Sequence, residues 1–215
     1  MLAAWYETSG DAEDVLQVGE LTTPTPAAGE VLVRVQVSGV NPSDVKARKR
    51  PPAAPQVIPH SDGAGVIEAV GEGVDQARIG ERVWLWNGQW KRAFGTCAQY
   101  IALPSEQAVT LPDAVLFEAG ACLGIPLMTA VHAVSLLENI DRNSTVLVTG
   151  AASSVGAYAA QLLSRVHGVT VIGTVGSAAK AEYAKSLGVT HTIDYKNENV
   201  AERIMALTAS KGVQG

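Results

Sequence analysis

Cysteine is scarce in this sequence, since Cys97 and Cys122 are its only two among 215 residues. They lie far apart, and neither has a second Cys or a His at metal-binding spacing. Neither a disulfide framework nor a zinc knuckle is therefore indicated. Because free cysteine is commonly a small core residue, we expect both thiols to be buried.

Long apolar runs are also lacking. Charged residues, glycine and proline interrupt every apolar stretch before it reaches the ~20 residues that a membrane-spanning helix needs. The N-terminus, Met1–Glu7, lacks the basic start and apolar centre of a signal peptide and has the pattern of a first strand. We expect no membrane segment and a cytoplasmic location.

Basic residues are outnumbered, with 16 Lys and Arg against 21 Asp and Glu and a net charge of -5. The longest basic cluster covers only residues 46–50. Nucleic acid is therefore disfavoured as a partner, because polyanion binding needs a larger excess of positive charge.

What the sequence does contain is a change of periodicity between its two halves. In the first half, β-rich segments such as 30–37 and 65–70 alternate with glycine and proline, which predicts a twisted, barrel-like β domain. In the second half, strands alternate with helices, which predicts parallel βαβ units. The predicted strands are 145–150, 169–175 and 190–195, and the predicted helices are 155–166, 178–187 and 200–209.

The predicted class is thus α/β plus β, with domains at 1–118 and 119–215 and a connecting helix near residues 117–129. A dinucleotide-binding sheet usually has six strands made of two such halves, and only three βα units are present. We expect the second domain to be the first half of a Rossmann domain.

A turn of small residues, Gly150–Gly156, follows the first strand of the second half and opens a helix. Backbone N–H groups and the helix dipole at such a turn can bind a pyrophosphate. Gly156 suits close helix–strand packing, as the last glycine of dinucleotide-binding turns does. We assign the pyrophosphate to a set of turn residues: Ala152, Ser153, Ser154, Val155 and Gly156.

The end of the next strand predicts which dinucleotide is bound. An acidic residue there would bind the ribose 2′-hydroxyl of NAD, but residues 172–180 contain no Asp or Glu. Gly176, Ser177 and Lys180 offer instead a site without negative charge, in which serine and lysine can bind a 2′-phosphate. The predicted cofactor is NADPH.

Ordered motifs at 38–44, 59–74, 80–83, 95–100, 124–130 and 150–156 resemble the successive signatures of the medium-chain dehydrogenase/reductase superfamily. The resemblance runs from about Ala3 to Lys211. It implies a GroES-like β-barrel domain followed by a Rossmann domain. It also implies that relatives continue beyond this length, so we expect the isolated chain to bind NADPH weakly and to turn over poorly.

Within that superfamily, the zinc-dependent branch would place Cys at Asn41, His at Ser61 and Cys at Ile125, and all three ligands are absent. The sequence is more similar to the zinc-free quinone oxidoreductases related to zeta-crystallin. We therefore expect no metal.

The resemblance also assigns residue roles. It places Asn41 and Asp44 near the nicotinamide, Thr129 beside it, and Lys180 and Tyr195 at the 2′-phosphate. His60 departs from the family, which usually has glycine at that position.

The predicted function is hydride transfer from NADPH to a quinone or similar conjugated carbonyl, with Asn41, Asp44 and Thr129 as the catalytic residues. One alternative is an NADPH-dependent enoyl or alkenal reductase, although no tyrosine lies between Tyr6 and Tyr100 to act as its acid. Another is a non-catalytic NADPH-binding module, with RNA as a partner in some relatives. No general acid is evident, and a homodimer of a full-length form stays open.

Overall fold

The computed structural model describes residues 1–215. The chain divides into two compact units, Met1–Ile125 and Pro126–Gly215. None of its helices is both long and apolar enough to cross a membrane.

The first unit is mainly β-structure with three short α-helices. Two 3₁₀ turns, Gln76–Arg78 and Ser105–Gln107, complete it, and a π-helical turn, Leu123–Leu127, spans the boundary between the two units. Its elements are β1 (Leu2–Trp5), α1 (Ala12–Val15), β2 (Gln17–Glu20), β3 (Glu30–Gly39), α2 (Pro42–Arg48), β4 (Asp62–Val70), β5 (Arg82–Leu85), β6 (Tyr100–Pro104), β7 (Ala108–Thr110) and α3 (Phe117–Gly120).

Five of these strands form an antiparallel sheet in the order β6-β3-β4-β5-β7, while β1 and β2 pair separately. Alternate residues of the sheet face one apolar core, which includes Val33, Ile67, Leu85 and Ile101. Register shifts between β3 and β4 mark bulges, which increase sheet twist. The predicted β domain is present, but its edge strands β6 and β7 do not pair, so the sheet is open and the expected barrel is not closed.

Arg82, at the start of β5, holds the segment that leaves the sheet. Its guanidinium donates hydrogen bonds to the carbonyl oxygens of Asp113 (2.7 Å) and Val115 (2.6 Å). The same group lies 4.4 Å from the ring centroid of Phe117, the first residue of α3. One side chain thus fixes the path from the sheet to α3.

The second unit alternates strands and helices as predicted. Its elements are α4 (Met128–Ser135), β8 (Thr145–Val148), α5 (Ser154–Gln161), β9 (Thr170–Val175), α6 (Ala178–Ser186), β10 (His191–Asp194) and α7 (Val200–Leu207). The strands are parallel, in the order β10-β9-β8. Apolar residues of the sheet and of α4 and α5 form the core of this unit.

Three sequence expectations are corrected. The connecting helix predicted over 117–129 is broken into α3, a π-helical turn containing Pro126, and α4, because proline lacks an N–H for regular helical bonding. The predicted helix 155–166 likewise ends in a π-helical turn, Leu162–Val166. Cys97 is half-buried, but Cys122 is exposed just after α3, so the expectation of two buried thiols is wrong.

The outer edge of β8 is partly covered by the chain's last residues. Gln214 N–H donates to the Thr145 carbonyl (2.9 Å), and Leu147 N–H donates to the Gly215 carbonyl (2.8 Å). The Gln214 side chain accepts a further hydrogen bond from Thr145 N–H (2.7 Å). These bonds satisfy backbone groups that an unpaired edge strand would leave free.

Candidate functional site

The start of α2 brings together the two predicted residues of the first unit. Asn41 is extended and precedes the helix, whose first residue is Pro42, a residue that suits this position because its φ is already helical. The Asp44 carboxylate accepts a hydrogen bond from Asn41 N–H at 2.7 Å. Both residues are buried, with 6% and 7% exposure.

Asp62, the first residue of β4, joins this pair; it lies within the motif at 59–74, but the sequence analysis gave it no role. It is completely buried. Its Oδ2 accepts hydrogen bonds from Asn41 Nδ2 and from Ile125 N–H, both at 2.8 Å. Its Oδ1 has no partner and lies against Gly124, where a Cβ would stand only 2.1 Å away. The only sequence signal is an acid opening a buried strand of glycine, alanine and valine.

No ion pair compensates the two buried carboxyls. Burial raises the pKa of Asp62 above its usual value, and the charge of Asp44 acts in the same direction, against the hydrogen bonds from Ile125 and Asn41. Burial also raises the pKa of Asp44, against the hydrogen bond from Asn41. Ionisation of this cluster therefore costs folding free energy.

Removing the Asp62 carboxyl is expected to destabilise the first unit. Asp62→Ala leaves two buried donors, Asn41 Nδ2 and Ile125 N–H, without an acceptor, which should cost about 2–5 kcal/mol of unfolding free energy in urea titrations. Asp62→Asn keeps an acceptor oxygen and is the matched control, with a smaller loss. Equal losses in both variants would contradict the hydrogen-bonding role.

The pH dependence of the same variants tests the raised pKa. A carboxyl whose folded pKa is raised adds stability that is present at low pH and is lost as pH rises through the folded pKa. The amide introduced by Asp62→Asn does not titrate, so the stability of this variant relative to the natural chain should improve from pH 4 to pH 8. A constant difference over that range would show that Asp62 has an ordinary pKa.

In the second unit, the predicted phosphate turn forms between β8 and α5. Ser153 is the N-cap of α5, and its hydroxyl oxygen accepts a hydrogen bond from Gly156 N–H (3.2 Å). The N–H groups of Ala152, Ser154 and Val155 make no hydrogen bond within the chain. Three donors at a helix N-terminus are thus left for an anion.

Gly156 is a position where the fold admits no side chain. A Cβ there would lie 2.3 Å from the carbonyl oxygen of Gly150 and 3.1 Å from the Cα of Ala151. Gly150 itself has a φ of 63°, the left-handed region that glycine tolerates. The helix therefore packs directly on the turn, as predicted for Gly156.

Thr174, a residue the sequence analysis missed, ties this turn to the end of β9. Its hydroxyl oxygen accepts from Gly150 N–H at 2.9 Å, and its carbonyl oxygen accepts from Ala151 N–H at 3.0 Å. Threonine in a β-branched strand segment gives no sign of such a role. Through it, the β8–α5 and β9–α6 connections lie side by side.

The β9–α6 connection carries the residues predicted for the 2′-phosphate. Ser177 caps α6 by accepting from Lys180 N–H at 3.3 Å. The Tyr195 hydroxyl packs on Gly176, where a Cβ would stand 2.7 Å from the hydroxyl oxygen. The side chain of Lys180 is exposed, and Tyr195 is 53% exposed. Thr129 lies exposed on α4 and shares no hydrogen bond with these residues.

No group of three or more His, Cys, Asp or Glu side chains is arranged to hold a metal ion. The side chains at the three positions where the zinc-dependent branch would have ligands are an amide, a hydroxyl and a hydrocarbon, at Asn41, Ser61 and Ile125. The first and last of these positions are both hydrogen-bonded to Asp62.

Comparison with known sequences gives two family matches. Residues 27–113 match the family model described as "Alcohol dehydrogenase GroES-like domain", and residues 154–215 match "Zinc-binding dehydrogenase". The first match covers the open sheet, and the second begins at the first residue of α5.

Among curated proteins, the chain is 38% identical over 204 residues to the synaptic vesicle membrane protein VAT-1 homolog of Rattus norvegicus, covering 92% of this chain and 48% of that protein. It is 32% identical over 208 residues to the quinone oxidoreductase of the same species, covering 95% of this chain and 61% of that protein. The chain thus spans about half to three-fifths of the length of these relatives.

Among solved structures, the Escherichia coli quinone oxidoreductase in complex with NADPH superposes with a TM-score of 0.86 at 29% identity. The match covers 99% of this chain and 64% of that structure. The two family matches, the curated relatives and this structural agreement extend over nearly every residue of the chain. The chain is therefore similar to the quinone oxidoreductases and resembles the medium-chain dehydrogenase/reductase superfamily.

Proposed function

We propose that this chain is part of an NADPH-dependent, zinc-independent oxidoreductase that transfers a hydride to a quinone or similar conjugated carbonyl. The observation that carries the proposal is the pair of turns at the ends of β8 and β9. One presents free N–H groups at a helix N-terminus, and the other presents Lys180 at the end of a segment, residues 172–180, that contains no Asp or Glu.

The proposed binding of a dinucleotide depends on the hydrogen-bond donors at the turn between β8 and α5. Because Gly156 has no side chain, α5 packs directly against Gly150 and begins at the turn. The unpaired N–H groups of Ala152, Ser154 and Val155 would hold the pyrophosphate, helped by the dipole of α5. Ser153 keeps the helix start in place because its hydroxyl is used as the cap.

The preference for NADPH rests on the second turn. Lys180, in the first turn of α6, would pair with the 2′-phosphate, and the Tyr195 hydroxyl beside Gly176 would donate to it. Gly176 and Ser177 are small and uncharged, so they leave space for the 2′-phosphate and add no negative charge beside it. The relative solved with NADPH supports this choice of cofactor.

The family resemblance implies that Asn41 and Asp44 serve the nicotinamide end of the cofactor, and it gives Thr129 a role beside the nicotinamide. When bound, reduced nicotinamide supplies a hydride, and a quinone accepts it without strong electrophilic help from a metal. Asn41 would position the cofactor through an amide that Asp62 holds in one orientation. Zinc independence is supported by the side chains at Asn41, Ser61 and Ile125.

Partners and location belong to the same proposal. We infer a small-molecule acceptor, no nucleic acid in view of the net charge of -5, and a cytoplasmic setting. A homodimer is proposed only for a longer form. Filter binding of RNA, with and without NADPH, would reveal the non-catalytic alternative.

Cofactor titration tests the proposal directly. We expect quenching of tryptophan fluorescence by NADPH at concentrations at least ~10-fold lower than by NADH, because a charged pair at the 2′-phosphate is worth about 1.4 kcal/mol or more. We also expect the 215-residue chain to reduce a quinone panel slowly compared with a longer form. Equal affinity for both cofactors, or no binding of either, would overturn the NADPH assignment.

A further inference from the structure

His60 occupies a backbone position that glycine would fill without strain. Its φ is 78°, in the left-handed region that is unfavourable for a residue with a Cβ. A hydrogen bond to another segment of the chain holds the backbone there, since the His60 carbonyl oxygen accepts from Thr96 N–H at 2.9 Å. Strain of this kind persists when the surrounding structure fixes it, and it is common at functional sites.

A chain of hydrogen bonds determines which ring nitrogen of His60 carries the proton. The Thr96 hydroxyl donates to the carbonyl oxygen of Asp62 at 2.6 Å, which uses its only proton. In the 2.9 Å contact between Thr96 and Ser38, Ser38 must therefore donate. Ser38 then has no proton left for His60 Nδ1, 2.9 Å away, so Nδ1 must donate to it.

The other nitrogen, Nε2, is consequently an unprotonated acceptor in the neutral ring. It makes no hydrogen bond within the chain, and it is not enclosed, because the only fully buried unpartnered side-chain atoms are Trp5 Nε1 and Asp62 Oδ1. Burial lowers the pKa of His60 below 6.5, and the Arg48 cation on α2 acts in the same direction. His60 is therefore mostly neutral at pH 7.

The charged and titratable groups around this ring are few. Arg48 opposes protonation of the imidazole. Cys97, next to Thr96, has its pKa raised by burial and by the charge of Asp44, so it is a neutral thiol near pH 7. Asp62 faces the network through its backbone carbonyl, while its carboxyl binds Asn41.

Asp62 thereby connects His60 to the predicted nicotinamide end of the site. Its backbone oxygen is the last acceptor in the series of hydrogen bonds that begins at the His60 imidazole, and its side chain accepts a hydrogen bond from Asn41. The ring is thus held in orientation at Nδ1, while Nε2 is unpartnered and not fully buried, and the same network orients Asn41. This is the arrangement expected of an acid–base residue.

We propose that His60 is a catalytic residue that exchanges a proton through Nε2 with the oxygen of the carbonyl acceptor, an inference that rests on the function proposed above. The bound cofactor would supply the hydride, and the acceptor that takes it would gain an electron pair on its carbonyl oxygen through its conjugated π-system. The Nε2–H bond of the His60 imidazolium would break and its proton would go to that oxygen, giving the reduced acceptor and a neutral His60 that keeps its proton on Nδ1. Solvent returns one proton to Nε2 before the next cycle.

A purely structural role for His60 would consist of its hydrogen bond to Ser38. Asn is the matched variant, because its amide can donate to Ser38 as Nδ1 does and because Asn tolerates the left-handed region better than most residues. The asparagine side chain has no titratable group that could transfer a proton in the position of the histidine Nε2. His60→Gly removes the hydrogen bond and the backbone strain together, and it tests whether the position needs a side chain for folding.

The first test needs no turnover. Nitrogen-15 NMR of the natural chain should show His60 as the Nδ1–H tautomer, with Nε2 protonating at a midpoint below pH 6.5. Adding hydroquinone under nitrogen together with NADP⁺ should shift the Nε2 resonance more than the Nδ1 resonance. An Nε2–H tautomer, or no response of Nε2 to hydroquinone, would overturn the proposal.

The second test compares quinone reduction in a longer form that contains this chain. We expect His60→Asn to lower kcat by about 100-fold or more while the NADPH dissociation constant stays within a factor of ~3. The natural protein should gain kcat as pH falls through the His60 pKa, and His60→Asn should not. Normal kcat and the same pH profile in His60→Asn would refute the role of His60, whereas absence of NADPH binding in the natural protein would refute the proposed function itself.

Discussion

Gly156→Ala is expected to abolish measurable NADPH binding and to lower the unfolding free energy of the second unit by about 1–3 kcal/mol. The new Cβ would stand 2.3 Å from the carbonyl oxygen of Gly150, and neither group can turn aside because both belong to the backbone. The turn must open or α5 must shift. Either movement displaces the free N–H groups of Ala152, Ser154 and Val155.

The matched control is Gly19→Ala in β2 of the first unit. Its Cβ would meet only the end of the Trp5 side chain, at 3.1 Å. Fluorescence titration with NADPH and urea unfolding should leave this variant close to the natural chain. The role of the turn would be contradicted if folded Gly156→Ala, verified by circular dichroism, bound NADPH as tightly as Gly19→Ala did.

The second large effect is expected at Lys180. Lys180→Ala should weaken NADPH binding about 10-fold to 100-fold, equivalent to about 1.4–2.8 kcal/mol, while NADH binding stays unchanged. Lys180→Glu should go further and make NADH the preferred cofactor, because a carboxylate repels the 2′-phosphate and can bind the 2′-hydroxyl. Isothermal titration with both cofactors measures the difference.

Lys185 provides the control on the same helix. It lies near the C-terminal end of α6 and is already paired with Glu182 at 2.9 Å. Lys185→Ala removes the same charge from the chain and should leave the ratio of NADPH to NADH affinity within a factor of ~2, since exposed charges at a distance are screened by salt. If both lysine variants lowered that ratio equally, the effect would come from overall charge and not from a site at Lys180.

Local features of the sequence were sufficient to predict the second unit. The alternation of strand and helix patterns, and the small residues of the Gly150–Gly156 turn, act over short distances along the chain. The open sheet of the first unit was predicted as a β domain for the same reason. Whether its ends close into a barrel depends on the pairing of strands far apart in sequence, which periodicity does not encode.

The network around Asp62 could not be predicted in this way. Its hydrogen bonds join Asn41 and Ile125, which lie 21 and 63 residues away along the chain. The bond between Ser38 and Thr96 spans 58 residues. Such contacts depend on tertiary structure, so a single sequence shows which residues are present but not which of them are in contact. His60 was noticed as a departure from the family, and its proton assignment came only from the geometry.

The contacts of Arg82 with Asp113, Val115 and Phe117 have a consequence for folding during biosynthesis. All four residues lie within Met1–Ile125, so the first unit contains everything needed to set the direction in which the polypeptide leaves its sheet. During translation, N-terminal domains generally fold first. The nascent α3 can therefore be anchored on the folded sheet while the second unit is still emerging from the ribosome.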